Sequence, residues 1–381
     1  MPSHLREPHT SHQPTRPALY PLSRIQQKRK TVVKLSIVEQ VTVPADGNAF
    51  DAFDEALITT KHAEAQGFHR MWFAEHHAIG SVASHAPEIL MAVIARETER
   101  IRIGSGAILL NHYSPLKVAE LFYQLEVVAP GRFDIGLGRA TAGPLVDAAL
   151  KRDRESRLTD DFYQQVQEAL AFLRRDFPAD HPFNQIQLMP TVTPRPDPWI
   201  LGSSGSSANL AAALGIGYSF AGFINPPGAV RALQSYRRAF TPTQYGEQVP
   251  QAMLGVSVFA ADTDAEAHKM TWPTRAVYAS LGRTSPGQIV VPSIDEASRT
   301  LTTSQKDAPS RIVDGIWPQQ LAGRPETIRS QLTQMIEQTG ATEIMVQSIN
   351  PDQEARRYSH ALIAEAFGLR TNGHKAAMGA V

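Results

Sequence analysis

Arg70-Met71-Trp72-Phe73-Ala74 and Ile101-Arg102-Ile103-Gly104-Ser105-Gly106-Ala107-Ile108-Leu109-Leu110 are two apolar runs of strand length, and the amphipathic stretch Ala86–Glu99 lies between them. Strand, helix and strand in that order read as a crossover unit whose strands run parallel. The same alternation extends in both directions. Upstream lie the strand Leu35–Val41 and the helix Asp51–Gln66. Downstream the predicted strands are Phe133–Leu137, Trp199–Gly202, Tyr218–Gly222, Met253–Ala260 and Thr342–Gln347. The helices that separate or follow them are Leu116–Val128, Thr159–Arg174, Ser206–Leu214, Ala229–Phe240, Asp264–Leu281, Pro325–Thr339 and Asp352–Phe367. Gly67, Gly215 and Gly340 stand where helices end, as C-terminal caps do. Eight such strands predict an α/β fold closed as a (β/α)8 TIM barrel. An open, doubly wound sheet usually has fewer strands and a glycine-rich first turn, and Val41–Gly47 has no glycine cluster. Residues 282–323 interrupt the rhythm with four prolines and four glycines, and with a weak helix near 294–306. An irregular connection of this length before the last strand reads as an insertion that serves as a lid.

The barrel is expected to occupy residues 35–371, between two tails. Residues 1–34 hold seven Lys/Arg, one acid and five prolines, a composition expected to be disordered. Residues 372–381 form the C-terminal tail. The whole chain has 381 residues, with 37 basic and 37 acidic side chains, so its charge argues against a nucleic-acid binder. It has no cysteine, which removes disulfides, thiolate metal ligands and a cysteine nucleophile. No apolar run approaches the ~20 residues that span a bilayer, and no signal-peptide core opens the chain. A soluble, cytoplasmic protein with no membrane or nucleic-acid partner is expected.

In a barrel, chemistry gathers where strands end. The second strand ends Ala74-Glu75-His76-His77. An imidazole there can exchange protons near neutral pH, and adjacent residues on extended chain point opposite ways, so the two histidines should not act as one pair. Gly104, Ser105 and Gly106 in the third strand suit either a flat ring lying on the backbone or tight packing inside the barrel. His112 stands at that strand's end. Arg139, in Gly136-Leu137-Gly138-Arg139-Ala140-Thr141-Ala142-Gly143, is placed for a phosphate or a surface ion pair. Gly202-Ser203-Ser204-Gly205-Ser206-Ser207 opens a helix, where free amides, the helix dipole and hydroxyls favour an anion. No P-loop, HExxH, GxSxG or dinucleotide fingerprint is present.

At these residues the chain resembles the bacterial luciferase-like flavin-dependent monooxygenases, and within them the luciferase-like group 1 oxidoreductases. The blocks that carry the likeness are Trp72–His77, Arg102–Gly106, Pro130–Ala140, Leu201–Gly205 and Gly323–Thr327 followed by Thr342–Val346, spanning about 35–369. The resemblance implies a monooxygenase that uses reduced FMN (FMNH2) and O2, by way of a flavin C4a-hydroperoxide, to oxidise a small organic substrate. It implies a separate NAD(P)H:flavin reductase and a homodimer. Carried over position by position, His76 matches the proposed catalytic base, Gly106-Ala107 the cis peptide beneath the flavin, and Arg139, Ser203, Ser204 and Ser207 the phosphate ligands. Luciferase has a glutamate where Ser203 stands, and its reactive cysteine is missing here, which argues against light emission.

Three other readings are open at this point. One is hydride transfer with a deazaflavin on the same barrel. Another is a metal-dependent hydrolase built from Glu75, His76, His77, His85 and His112, although no metal is expected. The third is a flavin-binding protein without catalysis.

Overall fold

The strands begin where short apolar runs alternate inward and outward faces. In a computed structural model describing residues 33–150, 161–188 and 193–369, ten strand segments form one parallel sheet. They are β1 (Lys34–Glu39), β2 (Arg70–Phe73), β3 (Arg102–Ser105), β4 (Ile108–Leu109), β5 (Phe133–Gly138), β6 (Asp197–Gly202), β7 (Gly217–Ala221), β8 (Ala252–Ala260), β9 (Gln320–Gly323) and β10 (Glu343–Gln347). β3 and β4 are two pieces of one stave, both paired with β5. The break between them is the cis peptide Gly106-Ala107. β10 pairs with β1 on one side and β8 on the other, which closes eight staves into the expected (β/α)8 TIM barrel.

The helices are α1 (Ala49–Gln66), α2 (Pro87–Glu97), α3 (Pro115–Val128), α4 (Pro144–Leu150), α5 (Phe162–Arg174), α6 (Gly205–Leu214) and α7 (Ala229–Ala239). They continue with α8 (Asp264–Met270), α9 (Trp272–Ser280), α10 (Ile294–Thr300), α11 (Thr303–Lys306), α12 (Pro325–Thr339) and α13 (Gln353–Ala366). Gly67, Gly215 and Gly340 do cap α1, α6 and α12 in the left-handed conformation.

Outward residues such as Ile37, Phe73, Ile103, Ile135, Ile200, Leu254 and Ile344 pack under the helices in one large core. Inward residues stack in layers. At the N-terminal ends of the strands, Arg70, only 2% exposed, donates to Asp134 (2.7 Å) and Glu343 (2.8 Å). Arg102 and the Trp72 indole also donate to Asp134 (2.9 Å each). Above this layer lie Val38, Trp72, Trp199, Met253 and Met345. Gly104 makes room for them, because a Cβ there would stand 2.5 Å from Trp72 Nε1. Tight interior packing therefore explains this glycine.

The structure revises several expected elements. The predicted helix Asp264–Leu281 is two helices, α8 and α9, divided at Thr271. Pro273 has no N–H to give an i−4 carbonyl, so it sits in the first turn of α9, where none is needed. The strand β9 and the short α4 were not anticipated. β9 pairs with the upper end of β8, which outruns its neighbour β10. The weak helix near 294–306 resolves into α10 and α11, each opened by a capping box. The first strand starts at Lys34, one residue inside the expected tail. Residues 1–32 and 370–381, which contain nearly all of both tails, lie outside the described residues, as do residues 159 and 160 of the predicted helix Thr159–Arg174. Among the described residues no helix is long and apolar enough to cross a membrane.

Candidate active site

At the C-terminal ends of the strands the inward layer turns small, with Ala74, Gly106, Gly138 and Ala221, and a cavity of about 1070 Å³ opens above it. Its size lies at the upper limit of small-molecule and cofactor sites, about 1,000 Å³. His76, Gly106, Ala107, Arg139, Ser203, Ser204 and Ser207, scattered over 132 positions of sequence, all line this one cavity.

Arg139 and the serines come from adjacent staves. β5 and β6 pair from Asp134↔Asp197 to Leu137↔Ile200, so the segments leaving them emerge side by side. Ser204 is the N-cap of α6, yet its hydroxyl does not cap the helix; it pairs with Ser206 Oγ (2.9 Å). The first-turn amides of α6 are thus left for another acceptor. Ser207 Oγ is turned inward, donating to Ser204 O (2.8 Å), which Tyr218 also supports (3.0 Å). Gly202 permits this fold-back, since a Cβ there would lie 2.2 Å from Ser207 Oγ. Asn225 Nδ2 holds the Ser203 carbonyl (2.9 Å).

On the opposite wall, the backbone of His76 is fixed at both ends. Its amide donates to Ser84 O (2.9 Å), and His85 Nδ1 donates to its carbonyl (2.8 Å). Its own Nδ1 is buried and has no hydrogen-bond partner among the described residues. Burial, with the nearby His77 and His85, lowers its pKa to about 4. At neutral pH the ring is therefore uncharged, with one donor and one acceptor nitrogen. His77 lines the cavity too and is tied to Glu75 through Nε2 (2.7 Å), a partner that His76 does not share.

The Glu75 carboxylate also accepts from the Leu109 amide (2.9 Å) and from the Tyr113 hydroxyl. Burial and Glu75 together push the Tyr113 phenol upward. Asp147 accepts from His112 Nε2 (3.1 Å), the Ala142 amide (2.9 Å) and Thr141 Oγ1. Burial works to raise its pKa, but these donors outweigh it and hold the carboxyl below its ordinary range. Glu75, His77 and His112 place ligand atoms within 4.8 Å of one another, the spacing of a metal-binding group. Glu75 already takes three protein donors and His112 is engaged by Asp147, so hydrogen bonding accounts for the cluster. The sequence reading left Asp147, Asn225 and Tyr218 unmarked. Each bonds at least one residue more than ten positions away, and no local pattern distinguishes it.

The segment after α9 completes the cavity, with Leu281, Gly282, Thr284, Pro286 and Ile289. The Gly80 amide donates to Pro286 O (3.1 Å) and the Ala45 amide to Val291 O (3.3 Å), joining this segment to the loops after β1 and β2.

A family model for luciferase-like monooxygenases matches residues 32–343. The chain belongs to the luciferase-like monooxygenase family. A luciferase-like monooxygenase of Escherichia coli strain K12 is 31% identical, over 87% of this chain and 96% of that one. The crystal structure of apo-MsnO8 superposes with a TM-score of 0.79 at 38% identity, covering 89% of this chain and 99% of its own. Two solved structures share the fold alone. The oxygenating constituent of 3,6-diketocamphane monooxygenase from Pseudomonas putida, in complex with FMN, has a TM-score of 0.64 at 18% identity, covering 88% and 97%. An F420-dependent secondary alcohol dehydrogenase has a TM-score of 0.58 at 12% identity, covering 89% and 99%. Luciferase-like enzymes are oxidoreductases; of the two structures that share only the fold, one holds FMN and the other is F420-dependent.

Proposed function

We propose that this luciferase-like protein is a monooxygenase that binds reduced FMN in the cavity and uses O2 to oxidise a small organic substrate. The observation that carries the reading is the meeting of Arg139 and the Ser203–Ser204 turn on adjacent strand ends, beside the cis Gly106-Ala107 wall. The donor set fits a phosphate monoester: one guanidinium, two hydroxyls and a helix N-terminus. The unpartnered Nδ1 of His76 fits a ligand that brings its own polar edge. Reduced FMN, when bound, supplies the electrons that activate dioxygen and let one oxygen atom pass to the substrate.

The residues of the chain then divide the work. Arg139, Ser203 and Ser204 hold the phosphate, and Ser207 and Tyr218 keep the serine turn in shape. The Gly106-Ala107 backbone gives the flat ring a wall without side-chain obstruction. His76, neutral at working pH, donates or accepts a single hydrogen bond and passes a proton at Nδ1. The cavity-lining part of the 282–323 segment, from Gly282 to Ile289, acts as the lid, and Leu281 and Ile289 help exclude water from the reacting atoms. A separate NAD(P)H-dependent reductase supplies the reduced flavin, and the enzyme is a homodimer.

The test is incubation with a flavin reductase, NADH, FMN and 18O2 against a panel of neutral thioethers, ketones and alkenes. One 18O atom in a product, dependent on this protein, supports the reading. Turnover with reduced deazaflavin but not with FMN, and no label in any product, would assign hydride transfer instead.

A further inference from the structure

We propose that Asp147 is a positioning residue: clasped by His112, it sets the 139–143 segment so that Arg139 can meet the cofactor phosphate. This rests on the phosphate reading of Arg139 above. The segment leaves β5 at Gly138 and turns at Gly143, where φ is +99°, into α4, a helix of only seven residues. So short a helix does not hold itself in place. What holds the segment is Asp147, 4% exposed, which collects Thr141 Oγ1 and the Ala142 amide from within it. The third donor comes from outside, from His112 at the exit of β4, whose side chain is 2% exposed. Asn111 adds a bond from the same exit, Nδ2 to Ala140 O (3.2 Å). Thr141, Ala142 and Gly143 line the cavity, whereas Asp147 and His112 do not. The clasp therefore acts behind the wall, through the backbone that carries Arg139.

The clasp also has a second end. The His112 ring meets the His77 ring edge-on at 5.7 Å, and His77 is held by Glu75. A chain of carboxylate, imidazole, imidazole and carboxylate thus runs from the residue beside His76 to the segment beside Arg139. It registers the proton-handling wall of the cavity against the anion-binding wall.

The experiment is anaerobic titration with dithionite-reduced FMN and, separately, reduced riboflavin, which has the same rings and no phosphate. Asp147→Asn should weaken reduced FMN about fivefold or more, less than the roughly tenfold or more for direct loss of a charge-assisted bond, and leave riboflavin nearly unchanged. His112→Gln keeps a donor near the position of Nε2 and should retain most of the FMN preference; His112→Leu should lose it. The His112 pair carries the test if Asp147→Asn does not fold. Equal losses for FMN and riboflavin, or unchanged FMN affinity, would overturn the proposal. An Arg139→Ala protein that keeps the wild-type preference for FMN over riboflavin would instead refute the phosphate reading beneath it.

Discussion

The two ends of the barrel are built from the same strands and treat polar groups in opposite ways. At the N-terminal end, Arg70, Asp134 and Glu343 are buried, Arg102 is partly buried, and all four are matched donor to acceptor. Burial alone would raise the Asp134 carboxyl, but the Arg70 and Arg102 charges reverse this and hold it below its ordinary range. At the C-terminal end, the inward residues shrink to alanine and glycine, and a buried imidazole nitrogen is left without a partner. The closed end spends its polar groups on each other. At the open end His76, Arg139 and the start of α6 line one cavity, and the His76 Nδ1 is without a partner among the described residues. The contrast separates side chains matched to one another inside the barrel from those that line its cavity.

The contrast breaks most visibly if the floor is cut. Asp134→Ala leaves Arg70 and Arg102 facing each other without their shared carboxylate, and removal of one partner from a buried ion pair costs about 3–5 kcal/mol. Urea unfolding should show that loss, while the folded fraction should bind reduced FMN as the wild type does. A loss below about 1 kcal/mol would mean that the floor is not a stabilising unit. His76→Ala reverses the pattern. Turnover should fall about 10²–10⁴-fold, the usual worth of a proton-transferring group, with flavin affinity and stability nearly unchanged. Equal turnover in both proteins would remove His76 from the chemistry.

A smaller effect sharpens the same contrast through pH. Burial lowers His69 and His76 to about 4, and lowers His360 well below 6.5, with the neighbouring Arg356 adding to the effect in His360. The native state keeps these rings neutral while the unfolded chain protonates them below its ordinary value of about 6.5. The unfolded state then binds more protons, so stability falls as pH drops from about 6.5 towards 4. Each ring contributes a slope of up to about 1.4 kcal/mol per pH unit. His360→Leu should flatten that acid limb in chemical denaturation from pH 7 to 5, and an unchanged slope would show that His360 is not one of the rings responsible.

How much of this was legible depended on whether the residues lie together in the chain. The staves were readable because each is a local apolar run, and their bounds moved by only a residue or two. The cavity wall was readable for the same reason: Gly136–Gly143 and Gly202–Ser207 are each a single loop, and their compositions point to an anion. The floor was not, because it takes one charge from each of several strands, from Arg70 to Glu343, and no local window contains two that meet. Asp147 escaped notice likewise, since its meaning comes from His112, 35 residues away. β9 escaped because Gln320-Leu321-Ala322-Gly323 shows no alternation and pairs only because β8 is long. Pro273 is a local signal, since a proline inside a helical pattern marks the start of a new helix.

The most direct measurement is an anaerobic titration of the wild type and Arg139→Ala with reduced FMN. The expected result is saturable one-to-one binding in the wild type and an affinity at least about tenfold weaker in the variant, with the unfolding midpoint unchanged, since a desolvated charge-assisted bond is worth ~1.5–3 kcal/mol. Wild-type protein that fails to bind reduced FMN, or a variant that binds it equally well, would contradict the claim that the open end of this barrel is a flavin phosphate site.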